Sequence, residues 1–183
     1  MKRLVIITVG KTHSGKTTFA RGLEQQLYNS IVIDQDNHAE FINTYYRSLL
    51  PQKGPNTIKY AVTQTIVDYA VNQTDFHLIL CNSNRSERAR LNLLKNFKNK
   101  GFITILVHLD IPDHILQERV SSSHRSTAIF RTASTFEEVL NRQQAESHSD
   151  PIEEEADYLF VIKDTEEIQL VTSRITDIAN SLD

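Results

Sequence analysis

The stretch "GKTHSGKTT", Gly10 to Thr18, constrains this chain more than any other. The 183-residue sequence has five glycines, and two of them, Gly10 and Gly15, stand five positions apart just before Lys16-Thr17. The spacing is G-x-x-x-x-G-K-T, the Walker A or P-loop pattern. Its chemistry accounts for each residue type. Backbone N–H groups from Gly10 through Lys11, Thr12, His13, Ser14, Gly15 and Lys16 to Thr17 and Thr18 must curl around a phosphate. Glycine allows both the dihedrals and the close approach this needs. Lys16 would meet the β- and γ-phosphates as a point charge, and the Thr17 hydroxyl would bind Mg²⁺. The N-terminus of the following helix adds a favourable field.

An accidental match arises in roughly one chain in a hundred, so the flanking sequence decides. "RLVIITV", Arg3 to Val9, is a short β-branched run of the kind that forms a buried parallel strand. Phe19, Leu23 and Leu27 then recur at helical spacing beside Ala20. Strand, loop and helix are the context that the motif requires.

The same alternation continues. "SIVID" (Ser30 to Asp34), "FHLILCN" (Phe76 to Asn82), "FITILVHLD" (Phe102 to Asp110) and "YLFVI" (Tyr158 to Ile162) read as four more strands, separated by helical patterns. Pro112 suits the first position of one helix, and Asp164 with Glu167 has capping-box spacing before the last. Five strands separated by helices predict a parallel sheet covered on both faces. Ligands in such sheets sit at the carboxyl ends of the strands. That rule puts the P-loop, Asp34, Asp36, the Asn82 segment and Asp110 along one rim.

The rim carries the candidate chemistry. A carboxylate ending strand two faces the γ-phosphate across the cleft and can take a proton from an acceptor hydroxyl. Asp34 and Asp36 are both candidates, with Asp36 further beyond the strand end; its alternative role is a helix N-cap. His38 lies one turn on and could assist at the substrate, as could Asn82 and Asn84, which otherwise cap a helix or orient the P-loop. Arg47 suits either an anionic substrate or a solvated helix face. Strand three ends in Cys81-Asn82, where many P-loop enzymes place an acid that holds Mg²⁺ through water. Asp34 or Asp36 would then have to supply that charge. Cys81 reads as a buried small hydrophobe, and His77 and His108, alternating within apolar strands, as core or strand-edge histidines.

"SSSHRSTAIFRTAST", Ser121 to Thr135, is a long polar connection carrying Arg125 and Arg131, with Arg119 just before it. Long connections in compact domains are mostly functional or disordered. Guanidinium groups on a mobile lid can clamp phosphate oxygens during transfer, so residues 120–135 are read as a lid. Residues 36–73, with the breaker "PQKGPN" inside them, are read as a substrate-selecting cap. The whole chain, 1–183, is then one domain.

Composition narrows the class. Apolar residues make up 39%, charged residues 23%, and the formal charge is −3, so the basic excess of a dedicated nucleic-acid binder is missing. No apolar run approaches the ~18 residues of a membrane span. The opening "MKRLVIITVGKT" is basic then apolar like a signal peptide, but it runs straight into the P-loop and reads as strand one. Cys81 is the only cysteine, which rules out an intrachain disulfide and a cysteine metal cluster. These features fit a cytoplasmic enzyme.

Along nearly its whole length the chain resembles the small P-loop kinases of the AAA_33 type, a group that includes the kinase domain of polynucleotide kinases and several small-molecule kinases. The carriers are "GKTHSGKTT", "IDQD", "LILCNSNR", "HLDIPDHILQERV", the arginine segment, "FEEVLNRQ" and "EADYLFVI". The resemblance implies an α/β P-loop NTPase fold, an adenylate-kinase-like three-layer sandwich with a five-stranded parallel sheet and an arginine-bearing lid. It implies that the strand-two carboxylate activates the acceptor. It also implies that Asn82 and Asn84 are retained from an Asp-Asn-x-Asn pattern whose acid Cys81 replaces. Arg119 and Arg125 would contact nucleotide or transferred phosphate, with Arg142 a further candidate. Polynucleotide kinases place an arginine shortly after the strand-two Asp, where this chain has His38 and Ala39.

The resulting expectation is an ATP- and Mg²⁺-dependent phosphotransferase. It would move the γ-phosphate to a hydroxyl of a small metabolite, nucleoside or nucleotide. Two alternatives stay open. One is a nucleotide-binding module without transfer activity, suggested by the absent strand-three acid; the other is a polynucleotide 5′-hydroxyl kinase, suggested by the resemblance alone.

Overall fold

The computed structural model describes residues 2–182. Its centre is a five-stranded, all-parallel sheet in the order β2-β3-β1-β4-β5. The strands are β1 (Leu4–Val9), β2 (Ser30–Asp34), β3 (His77–Cys81), β4 (Ile103–Leu109) and β5 (Tyr158–Ile162). β1 is continuous in burial, and its side chains alternate between two cores. Leu4 and Ile6 face Phe19, Leu23, Leu116, Leu140 and Ile175 on one side. Val5, Ile7 and Val9 face Val67, Val71, Leu94 and Phe97 on the other. A strand covered on both faces cannot alternate apolar with polar, which is why "LVIITV" reads as one unbroken run.

Seven α-helices, among the described residues, supply the two covers: α1 (Lys16–Gln26), α2 (Gln35–Tyr45), α3 (Thr57–Gln73), α4 (Glu87–Asn99), α5 (Asp113–Ser121), α6 (Phe136–Ala145) and α7 (Ile168–Asn180). Their starts follow local chemistry. Asp34, Asn56, Ser86 and Thr135 each accept a hydrogen bond from a first-turn backbone N–H of α2, α3, α4 and α6. Pro112 sits one residue earlier than its sequence position suggested. It occupies the cap, with extended ψ, and α5 begins at Asp113. The capping box of Asp164 and Glu167 closes a 3-10 turn, Thr165–Glu167, that leads into α7.

β2 ends at Asp34 and α2 starts at Gln35, so Asp36 lies in the first turn of the helix. Asp34 is the N-cap, and its Oδ1 accepts from the Asp36 N–H at 2.9 Å. His77 is a core histidine whose Nδ1 accepts from the Leu4 N–H at 2.9 Å, and His108 is buried in β4. A buried ion pair ties the first turn of α4 to the turn before β5: Arg90 Nε donates to Glu155 Oε2 at 2.6 Å and Nη2 to Oε1 at 2.8 Å. No described helix is long and apolar enough to cross a membrane.

Candidate active site

β1 lies at the middle of the sheet, between β3 and β4, and its carboxyl end opens into the P-loop. A Cβ on Gly10 would stand 2.8 Å from Ser14 Oγ and 2.9 Å from Leu109 O, so any other residue there would push the loop apart. The Gly10 N–H donates to Ser83 O at 3.0 Å, anchoring the loop to the segment after β3. Gly15 (φ 97°) and His13 (φ 59°) both take left-handed backbone, which turns successive N–H groups inward. Gly15 is also the N-cap of α1, so the helix N-terminus points into the loop.

Lys16 reaches back over this loop, donating to Lys11 O and to Ser14 Oγ at 3.3 Å. Burial lowers its pKa to about 8, against the raising influence of Cys81, Asp36 and Asp34. An ammonium held by one carbonyl and one hydroxyl is under-coordinated and strongly attracts phosphate. Lys11 turns away from the cleft and pairs with Asp113 at 2.5 Å. The Thr12 N–H donates to Gln143 Oε1 on α6 at 2.7 Å. The His13 ring bonds Ser123 Oγ at 2.8 Å and meets the Phe136 ring edge-on at 4.6 Å. Burial, then Arg125, Lys16 and Arg119, hold that imidazole neutral by lowering its pKa.

The Thr17 hydroxyl donates to Asp34 Oδ2 at 3.2 Å and lies 3.6 Å from Cys81 Sγ. Asp34 and Cys81 are register partners at the ends of β2 and β3. Where β3 ends in a thiol, the neighbouring strand thus ends in a carboxylate at the same level of the sheet. Cys81 is buried, and desolvation first, then Asp34, raise its thiol pKa to about 11.

These groups line one cleft of about 910 Å³, together with Thr18, Asp36, Asn82, Arg119, Arg125, Arg131 and Arg142. Arg119 Nη1 donates to His13 O at 3.2 Å. Arg125 pairs with Asp36 Oδ2 at 2.7 Å. Arg131 donates to Pro51 O at 2.7 Å and also to Gly54 O. Asn43 on α2 donates to Ala128 O and Phe130 O at 2.7 and 3.1 Å. The segment between α5 and α6 thus spans the cleft from the P-loop side to the α2–α3 side.

His38, Asn84 and Arg47 fall outside this lining. His38 bonds Thr63 Oγ1 at 2.8 Å, between α2 and α3. Asn84 Nδ2 donates to Thr8 O at 2.9 Å, so it orients the strand end behind the loop. Asn82 lines the cleft while its Nδ2 donates to Gln35 Oε1 at 2.9 Å. Arg47 is exposed in a 3-10 turn and does not reach the cleft. Sequence reasoning missed Lys59 and Tyr60, which enter the cleft from the first turn of α3, and Gln143, which holds Thr12. No spacing marks Lys59; only the packing of α3 beside β2 brings it to the rim.

Solved structures share this fold over nearly the whole chain. Kti12 from Chaetomium thermophilum, in complex with ADP-AlF3, has a TM-score of 0.63 at 18% identity, covering 94% of this chain and 97% of its own. APS kinase from Mycobacterium tuberculosis, in complex with AMPPNP and APS, has a TM-score of 0.59 at 14% identity, covering 98% of each chain. Shikimate kinase from Bacteroides thetaiotaomicron has a TM-score of 0.56 at 15% identity, covering 97% of this chain and 98% of its own. At such identities the likeness speaks to the fold. No curated protein matches the sequence. The AAA_33 family, described as an AAA domain, matches residues 5–148, and with the P-loop and parallel sheet on which that match rests the chain belongs to this family.

Proposed function

We propose that the protein is an ATP-dependent kinase that phosphorylates a hydroxyl of a small molecule. The observation that carries this reading is the convergence of Lys16, Thr17, Asp34 and Asp36 in one cleft, with Arg125 already within 2.7 Å of Asp36. The P-loop N–H groups and Lys16 would hold the β- and γ-phosphates. The Thr17 hydroxyl and Asp34 carboxylate are hard oxygen donors of the kind Mg²⁺ takes alongside phosphate oxygens and water. When bound, that ion offsets charge on the β- and γ-oxygens.

Asp36 lies past the strand end, at the second position of α2, and faces the cleft. In this reading the acceptor oxygen bonds to the γ-phosphorus and its proton passes to Asp36. The bond to the β–γ bridging oxygen breaks, and its electron pair leaves with ADP. Arg125 and Asp36 are both part-exposed, at 37% and 41%. A pair of that exposure is worth about 0.2–1 kcal/mol, so Arg125 can leave Asp36 for the transferring phosphoryl group at little cost. Asp34, hydrogen-bonded to Thr17, answers the missing β3 acid and favours catalysis over simple nucleotide binding.

The test is ADP formation from Mg-ATP against nucleosides, sugars, hydroxy acids and 5′-hydroxyl oligonucleotides, with Lys16→Ala as the blank. Acceptor-dependent ADP absent from the blank supports the kinase. Nucleotide binding with no ADP above the blank for any acceptor leaves a binding module instead.

A further inference from the structure

The cleft carries more positive charge than a nucleotide can use. Six cationic side chains line it (Lys16, Lys59, Arg119, Arg125, Arg131 and Arg142) against two carboxylates, Asp34 and Asp36. The surplus of four positive charges sits in a chain whose formal charge is −3. A magnesium-bound triphosphate carries only about two net negative charges. Part of the surplus is therefore left for a second ligand.

Lys59 is where that ligand has room. The residue is half-buried in the first turn of α3 and lines the cleft. Its ammonium has no hydrogen-bond acceptor and no ion-pair partner among the described residues. It rests 5.0 Å from the centroid of the Tyr60 ring. Arg125 and Arg131, by contrast, are occupied by Asp36 and by the Pro51 and Gly54 carbonyls. The three donors of Lys59 have no protein acceptor among the described residues and stand open to a ligand that enters the cleft. Burial lowers its pKa, while Asp36 first and Asp34 second act to raise it, so Lys59 and the Asp36 carboxylate share one field.

We propose that the acceptor is an anionic hydroxy compound, a carboxylate or a phosphate ester, whose negative group is held by Lys59 while its hydroxyl faces Asp36. This rests on the kinase reading for the hydroxyl but not for the anion. The negative group would face cations from the α3 side and the lid segment, and Asp36 would repel it, which orients the molecule with its neutral hydroxyl toward the carboxylate. A neutral sugar or nucleoside would leave Lys59 unpaired and bind more weakly.

The test separates binding from turnover. With the P-loop saturated by Mg-AMPPNP, amide shifts of residues 56–60 are followed while inorganic phosphate, glycerate, glycerol 3-phosphate or glycerol is titrated. Saturable shifts are expected with the three anions and not with glycerol. Glycerate against glycerol 3-phosphate tells a carboxylate site from a phosphate site. Lys59→Met should weaken anion binding about tenfold or more, the scale of one charge-assisted hydrogen bond. Lys59→Arg should retain it, which guards against a folding defect. Equal binding of glycerol, or anion binding unchanged in Lys59→Met, overturns the assignment, and so does the absence of any anion binding. ADP formation is read separately. Anion binding without ADP from any acceptor sinks the kinase reading alone; ADP formation without Lys59-dependent anion binding sinks this proposal alone.

Discussion

Thr17 Oγ1 donates to Asp34 Oδ2 at 3.2 Å, joining the P-loop helix to the end of the neighbouring strand β2. Because Asp34 is the register partner of Cys81, a carboxylate stands at the level where β3 ends in a thiol, 3.2 Å from the Thr17 hydroxyl. Asp34 also caps α2 through the Asp36 N–H, so one carboxylate ties the P-loop helix to the start of the helix that carries Asp36. The proposed function gives the two aspartates separable roles.

That separation is measurable. Asp36→Asn should lower kcat by about 10²–10⁴, the range of a lost general base, with nucleotide affinity unchanged by calorimetry. Asp34→Asn should instead raise the Mg²⁺ concentration needed for half-maximal ADP formation. If the two variants shift the same parameter, the division of labour is wrong.

Lys16 supplies a pH test. Burial lowers its pKa to about 8 in the free protein, and phosphates will raise it again on binding. Between the free and bound values the complex holds more protons than its parts. Nucleotide binding should therefore take up a proton above about pH 8, and affinity should fall as pH rises through that range. Below it, affinity should not vary through this group. Calorimetry in buffers of different ionisation enthalpy measures the uptake directly, and Lys16→Met should abolish it.

Cys81 should be inert. It is buried, and its thiol pKa is pushed up from 9.0 to about 11, so the thiolate fraction falls about a hundredfold at neutral pH from that shift alone. Reaction with a thiol-specific chromophore should be slow in the native protein and immediate in denaturant. Fast native labelling would contradict the burial of this strand end.

The Arg90–Glu155 pair should matter to stability and not to chemistry. Arg90→Met leaves Glu155 buried without its guanidinium and should cost about 3–5 kcal/mol in urea unfolding, while Arg90→Met with Glu155→Gln should recover part of that loss. Arg90 holds the Glu155 pKa below its ordinary value of 4.5. A depressed carboxyl pKa stabilises the fold above the unfolded value and loses that contribution on acidification. Wild type should therefore lose stability below about pH 4.5 more steeply than the double variant.

Much of this architecture is legible in the sequence because its causes are local. β1 follows from a run of apolar residues buried on both sides, the P-loop from glycines that only particular dihedrals demand, and the approach to the last helix from the capping box of Asp164 and Glu167. Burial periodicity and turn chemistry act within a few residues, so one chain displays them. The strand order does not, since pairing β2 with β3 is a contact between residues more than forty positions apart. That pairing alone brings Asp34 level with Cys81. The Arg125–Asp36 bridge spans 89 positions and the arrival of Lys59 in the cleft depends on how α3 crosses β2. The sequence by itself determined a phosphate-binding loop on a parallel sheet. Only the tertiary structure decided which charges face one another across it, because electrostatic partners are set by distance in space, and no spacing along the chain encodes that distance.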